Sequence, residues 1–70
     1  MRISARNQWT GTVQSIKNGA VMAEVVVQLR GGEEVTAAIT LQSAKQLGLA
    51  KGSPVTVLVK STEVMLAVDD

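Results

Sequence analysis

Seventy residues with a net charge of +1, seven basic and six acidic side chains, no cysteine and no histidine leave few function classes open. The length predicts one domain over 1–70; a chain this small buries only about 60% of its unfolded surface and usually leans on a staple or on oligomerisation. Residue type excludes disulfides, zinc clusters, imidazole bases and thiol nucleophiles.

Oligomerisation is therefore the expected staple. Apolar residues make up 46% of the chain, nearly all of them aliphatic, and Trp9 is the single aromatic. That is too much aliphatic surface for one small core, so part of it is expected to face a partner subunit. Positive and negative side chains are mixed along the chain. A nucleic-acid binder shows a basic stripe with stacking aromatics, and neither occurs here. The run Val25-Val26-Val27 is too short to span a membrane, and Met1-Arg2-Ile3-Ser4 turns polar too soon for a signal peptide. A cytoplasmic protein that engages neither nucleic acid nor membrane is expected.

In chain order, Ser4-Ala5-Arg6-Asn7 comes first, holding a hydroxyl, a guanidinium and an amide within four residues. Trp9 to Lys17 reads as a strand, with Trp9, Gly11 and Val13 on one side; Ile16 breaks the alternation, which predicts a bulge near Gln14-Ser15. Asn18-Gly19 predicts a type I′ hairpin. The second strand, Ala20 to Arg30, puts Val21, Ala23, Val25, Val27 and Leu29 on one face and Met22, Glu24, Val26, Gln28 and Arg30 on the other. Gly31-Gly32 turns the chain into a third strand, Glu33 to Thr40, with Val35, Ala37 and Ile39 inward.

The period then lengthens. Leu41, Ala44 and Leu47 recur at helical spacing, Thr40 stands at the N-cap, and Gly48 stands where a left-handed residue ends a helix. Pro54 opens a fourth strand whose inner face is Val55, Val57 and Val59. After Ser61-Thr62-Glu63 a fifth strand, Val64 to Val68, is expected, then a loose acidic end, Asp69-Asp70. Five strands with one short helix after the third predict an all-β, five-stranded barrel of the oligonucleotide/oligosaccharide-binding (OB) type. An SH3-like barrel is the alternative.

Three donor clusters stand out. Arg6 offers a fixed fork of N–H donors beside the Ser4 hydroxyl. Thr40 and Ser43 flank a first helical turn, Leu41-Gln42-Ser43, that contains no acid, so the turn is expected to be open to an anion. Lys60 ends the fourth strand next to Ser61 and Thr62. Each has a plainer reading: a solvated arm, a self-capped helix, an exposed strand end. No constellation for catalysis is present, and the sequence predicts a protein that binds without being an enzyme.

Ile3-Ser4-Ala5-Arg6-Asn7-Gln8-Trp9, Thr40-Leu41-Gln42-Ser43-Ala44 and Val59-Lys60-Ser61-Thr62-Glu63-Val64 together resemble the molbindins, small cytoplasmic proteins that hold molybdate or tungstate in a TOBE-like domain. The resemblance covers nearly the whole chain. It implies an OB-like fold, dimers with exchanged strands, and a homo-hexamer built as a trimer of dimers. It also implies oxyanion sites at subunit interfaces, with Ser4 and Arg6 from one subunit and Thr40, Ser43, Lys60 and Ser61 from its neighbour. A second class of site is implied near the threefold axis, for which the turn Asn18-Gly19-Ala20 is the candidate. Molybdate or tungstate would be the bound ligand, with no catalytic cofactor and no metal coordinated directly by side chains. Molybdate is a dianion with acceptors only, so such a pocket needs donors and no carboxylate. Two rival readings stand beside storage or buffering of the oxyanion: a small nucleic-acid-binding barrel and a structural oligomer without a ligand.

Overall fold

The computed structural model describes residues 1–69. Four antiparallel strands, β1 (Asn7–Asn18), β2 (Met22–Leu29), β3 (Glu34–Thr40) and β4 (Pro54–Val59), form one curled sheet in the order β3-β2-β1-β4. A single α-helix, α1 (Leu41–Gln46), follows β3, and a 3-10 turn (Ser61–Glu63) follows β4.

β1 is long enough to serve two partners, pairing with β2 along its second half and with β4 along its first. Its register shifts between Val13 and Ser15, the expected bulge. The extra residue lets both Val13 and Ile16 turn inward although they are three apart. Val13, 1% exposed, forms the centre of the core with Val25 and Val27, and Ile16, Leu29, Ile39, Leu49, Val55 and Val57 pack around it. Backbone approach is closest at Gly11, where a Cβ would stand 2.7 Å from both the Gln28 carbonyl oxygen and Val27 Cγ1.

Several expectations are corrected. The first turn is not type I′, because neither Asn18 nor Gly19 adopts a positive φ. Instead Asn18 pairs with Ala23 across a wider loop, and the Gly19 N–H donates to the Met22 carbonyl at 2.7 Å. Tertiary contact overrides the local preference: the Val21 carbonyl accepts from the Leu41 N–H at 2.7 Å, pinning the loop to the start of α1. The Gly31-Gly32 turn does use a left-handed glycine, Gly32 at φ 96°.

Helix α1 stops as expected at a left-handed Gly48, φ 64°. The Leu49 N–H donates to the Ala44 carbonyl at 3.1 Å and the Gly48 N–H to the Lys45 carbonyl at 3.0 Å, the paired bonds of a Schellman end. That reversal brings Leu49 onto the core and leaves Leu47 exposed, the opposite of what helical spacing predicts for Leu47.

The fifth strand is absent from the single chain. The turn at Ser61–Glu63 does not fold the chain back along β4, and Val64 to Val68 joins no ladder. Met65 and Leu66 are 92% and 93% exposed. The barrel is thus a four-stranded half-barrel with β3 and β4 as open edges. Of the expected acidic end, Asp70 lies outside the described residues.

Candidate oxyanion site

Two donor groups emerge from this architecture, at opposite ends of the sheet. At one end, Asn7 and Val59 are the last ladder pair between β1 and β4, and Asn7 Nδ2 donates to the Val59 carbonyl at 3.2 Å. Arg6 and Lys60 follow immediately on the two chains, with Ser4 and Ser61 just beyond. All four are exposed. Two cations facing each other across neighbouring strands repel, and an anion between them removes the repulsion. This corner joins Ser4 and Arg6 to Lys60 and Ser61 of the same chain.

The second group is at the far end, where Thr40 pairs with Met22 and the neighbouring Ala23 with Asn18. Thr40 Oγ1 accepts the Ser43 N–H at 3.0 Å and donates to Ser43 Oγ at 2.7 Å. The helix is therefore capped by its own threonine. With the Leu41 N–H on Val21 and the Ser43 N–H on Thr40, the first turn is less open to an external anion than its sequence suggests. What Thr40 does supply is polarisation: accepting its proton, Ser43 Oγ keeps its own O–H to donate, strengthened by the bond behind it. The site here is Ser43 backed by Thr40.

The Asn18-Gly19-Ala20 turn adjoins this end. A cavity of about 560 Å³ is lined by Ala20, Val21, Thr40, Gln42 and Lys45, among others. Asn18 and Lys45 also line a neighbouring cavity of about 360 Å³. Lys45, in the last turn of α1, is a cation that sequence reasoning overlooked; its proximity to the Asn18 loop depends on the fold, and no local motif marks it.

Among the described residues no three His, Cys, Asp or Glu side chains gather to hold a metal ion, and no helix is long and apolar enough to cross a membrane. No basic face with stacking aromatics forms, since Trp9 stands alone; the nucleic-acid reading gains no support.

A short all-β chain with donor-rich, nearly acid-free ends on a half-barrel defines a small anion-binding module. Comparison with known proteins agrees. The TOBE domain model matches residues 3–66. Molybdenum-pterin-binding protein 2 of Clostridium pasteurianum is 48% identical over 66 residues, covering 94% of this chain and 97% of that protein. The solved structure of MopII from Clostridium pasteurianum superposes with a TM-score of 0.92 at 46% identity, over 96% of this chain and 100% of that one. A molybdate-bound form of ModG, described as a cytoplasmic molybdate-binding protein, gives a TM-score of 0.82 at 44% identity, over 94% of this chain and 53% of that one. The chain belongs to the TOBE-domain family, in its Mop or molbindin branch.

Proposed function

We propose that this protein binds molybdate, and tungstate with it, as a cytoplasmic store or buffer, in sites completed between copies of the chain. The observation that carries this reading is the separation of the two donor groups. The 12 residues of β1 lie between them, and at about 3.3 Å per residue that distance is many times the width of one oxyanion. A pocket that uses both groups must take Ser4, Arg6, Lys60 and Ser61 from one copy and Thr40 and Ser43 from another. This regroups the implied division of residues, because Lys60 and Ser61 flank Arg6 in their own chain.

Assembly has material to work with. Residues 64–68 are extended, apolar and unpaired, and two sheet edges are open. Exchange of this segment between copies would supply the missing fifth strand, consistent with a dimer that builds further into a hexamer. Arg6 and Lys60 neutralise a dianion, and the hydroxyls donate to its oxygens. Phosphate carries a proton near neutral pH and presents a donor to donors. Sulfate has the right charge but is smaller, so cavity size must reject it. Tungstate nearly matches molybdate in size.

Complementation tests the proposal. Arg6→Ala and Ser43→Ala chains are made separately, unfolded together and refolded, and bound molybdate is counted. Each parent should bind almost none, while the mixture recovers a fraction wherever two intact half-sites meet. No recovery in correctly assembled mixed oligomers would place each site within one chain.

A further inference from the structure

Near the Arg6 end of the sheet lies a second set of chemically distinctive side chains that oxyanion binding does not use. Two adjoining cavities open there. One, of about 680 Å³, is lined by Trp9, Leu29, Arg30 and Glu33 among others. The other, of about 450 Å³, is lined by Thr12, Pro54 and Thr56 among others. Thr10 and Arg30 line both, so the two are lobes of one groove. The ladder explains the placement: Thr10 pairs with Thr56, and Arg30 follows directly on Leu29, the partner of Gly11, which brings it beside Thr10.

Each lobe has its own chemistry. In the larger, Trp9 leaves 43% of its surface uncovered, a flat apolar face that gains from a flat partner. Beside it the Glu33 carboxylate folds back over the Gly31 backbone, into the space a Cβ there would occupy. A carboxylate only accepts, and its two oxygens match a pair of adjacent N–H donors. The smaller lobe offers the Arg30 guanidinium and threonine hydroxyls, a set suited to a phosphate. An inorganic oxyanion fits the larger lobe poorly, because Glu33 repels it. A planar ring with an N–H edge and an anionic tail satisfies every group at once.

We propose that this groove binds a phosphorylated 2-amino-4-oxopyrimidine heterocycle, the ring edge shared by pterins and guanine. Trp9 stacks on the ring, Glu33 accepts from the ring N–H and the 2-amino group, and Arg30 with Thr10 and Thr56 holds the phosphate. The inference stands on its own observations and does not depend on the oxyanion reading.

Because Trp9 is the only aromatic side chain, its fluorescence reports the groove directly. The full chain, in whatever assembly it forms, is titrated with neopterin monophosphate, GMP, AMP and inorganic phosphate. Saturable quenching by neopterin monophosphate or GMP is expected, with AMP at least about tenfold weaker because adenine lacks the donor edge. The tighter of the first two identifies the source as pterin or guanine nucleotide. Glu33→Gln, which replaces an acceptor by a donor, should weaken the heterocycle roughly ten- to a hundredfold. Arg30→Met should reduce the phosphorylated ligand to the affinity of the unphosphorylated one. In both variants the count of bound molybdate should stay that of the parent. Absence of saturable quenching below millimolar ligand, equal quenching by AMP, or an unchanged affinity in Glu33→Gln overturns the proposal. Burial of Trp9 by a second copy would show as the first of these. Normal molybdate counts beside failed titrations would dismiss the groove alone.

Discussion

Arg6 and Lys60 stand side by side because Asn7 and Val59 close the β1–β4 ladder with a side-chain bond of 3.2 Å on top of their register pairing. Two residues 54 positions apart in the sequence thus act as one cationic corner. Their separate roles can be divided by experiment. Arg6→Lys keeps the charge and loses the planar fork. Loss of a charge-assisted hydrogen bond costs about 1.5–3 kcal/mol, roughly ten- to a hundredfold in oxyanion affinity. Calorimetric titration with an unchanged affinity would remove Arg6 from the site.

Ligand choice is read by thermal shift. Molybdate and tungstate each should raise the melting temperature by mass action, since they bind the folded assembly. Sulfate and phosphate at the same concentration should move it little. Equal shifts from all four would describe a general anion site.

Thr40 and Ser43 form one hydrogen-bonded unit yet answer to different measurements. Thr40→Ala removes the acceptor for the Ser43 N–H and should cost about 0.5–2 kcal/mol of stability, lowering the melting temperature by roughly 4–8 °C per kcal/mol in a domain this small. Ser43→Ala leaves the cap in place, so stability should hold while oxyanion binding falls. The same loss of stability in both variants would assign the pair to structure alone.

Gly11→Ala probes the sheet itself. The added methyl would meet the Gln28 carbonyl and Val27 Cγ1 at 2.7 Å, and backbone cannot swing aside as a side-chain end can. Overpacking of this kind costs about 1–3 kcal/mol. Urea denaturation giving less than about 0.5 kcal/mol would mean that β1 and β2 separate easily there.

Much of this fold is legible along the chain because its strands alternate and its stops are local. The bulge shows as a broken alternation at Ile16, and the end of α1 shows as Gly48. What could not be read depends on distant partners. Asn18-Gly19 carries the strongest local turn signal, yet the Val21 carbonyl is held by the Leu41 N–H, and that contact decides the loop. Leu47 has the spacing of a core residue, but the Schellman reversal hands its place to Leu49. Val64 to Val68 has a strand's composition and lacks a neighbour in its own chain to pair with. For the site, residue types point to an anion correctly in kind. The adjacency of Lys60 to Arg6, and the distance of Ser43 from both, follow from sheet order alone.

The extra residue in β1 works as a change of parity. Before it, odd-numbered side chains such as Gly11 and Val13 face the core; after it, even-numbered Ile16 and Asn18 share the face of Val25 and Ala23. Deleting Gln14 would unite the two numberings and turn Ser15 and Lys17 toward the valines while Ile16 swings into water. The two ends of the sheet are therefore addressed independently. A length change on one side of Gln14 re-aims that end's side chains and leaves the other end's aim intact, so mutation can remodel the Asn18 loop without disturbing the Arg6 corner.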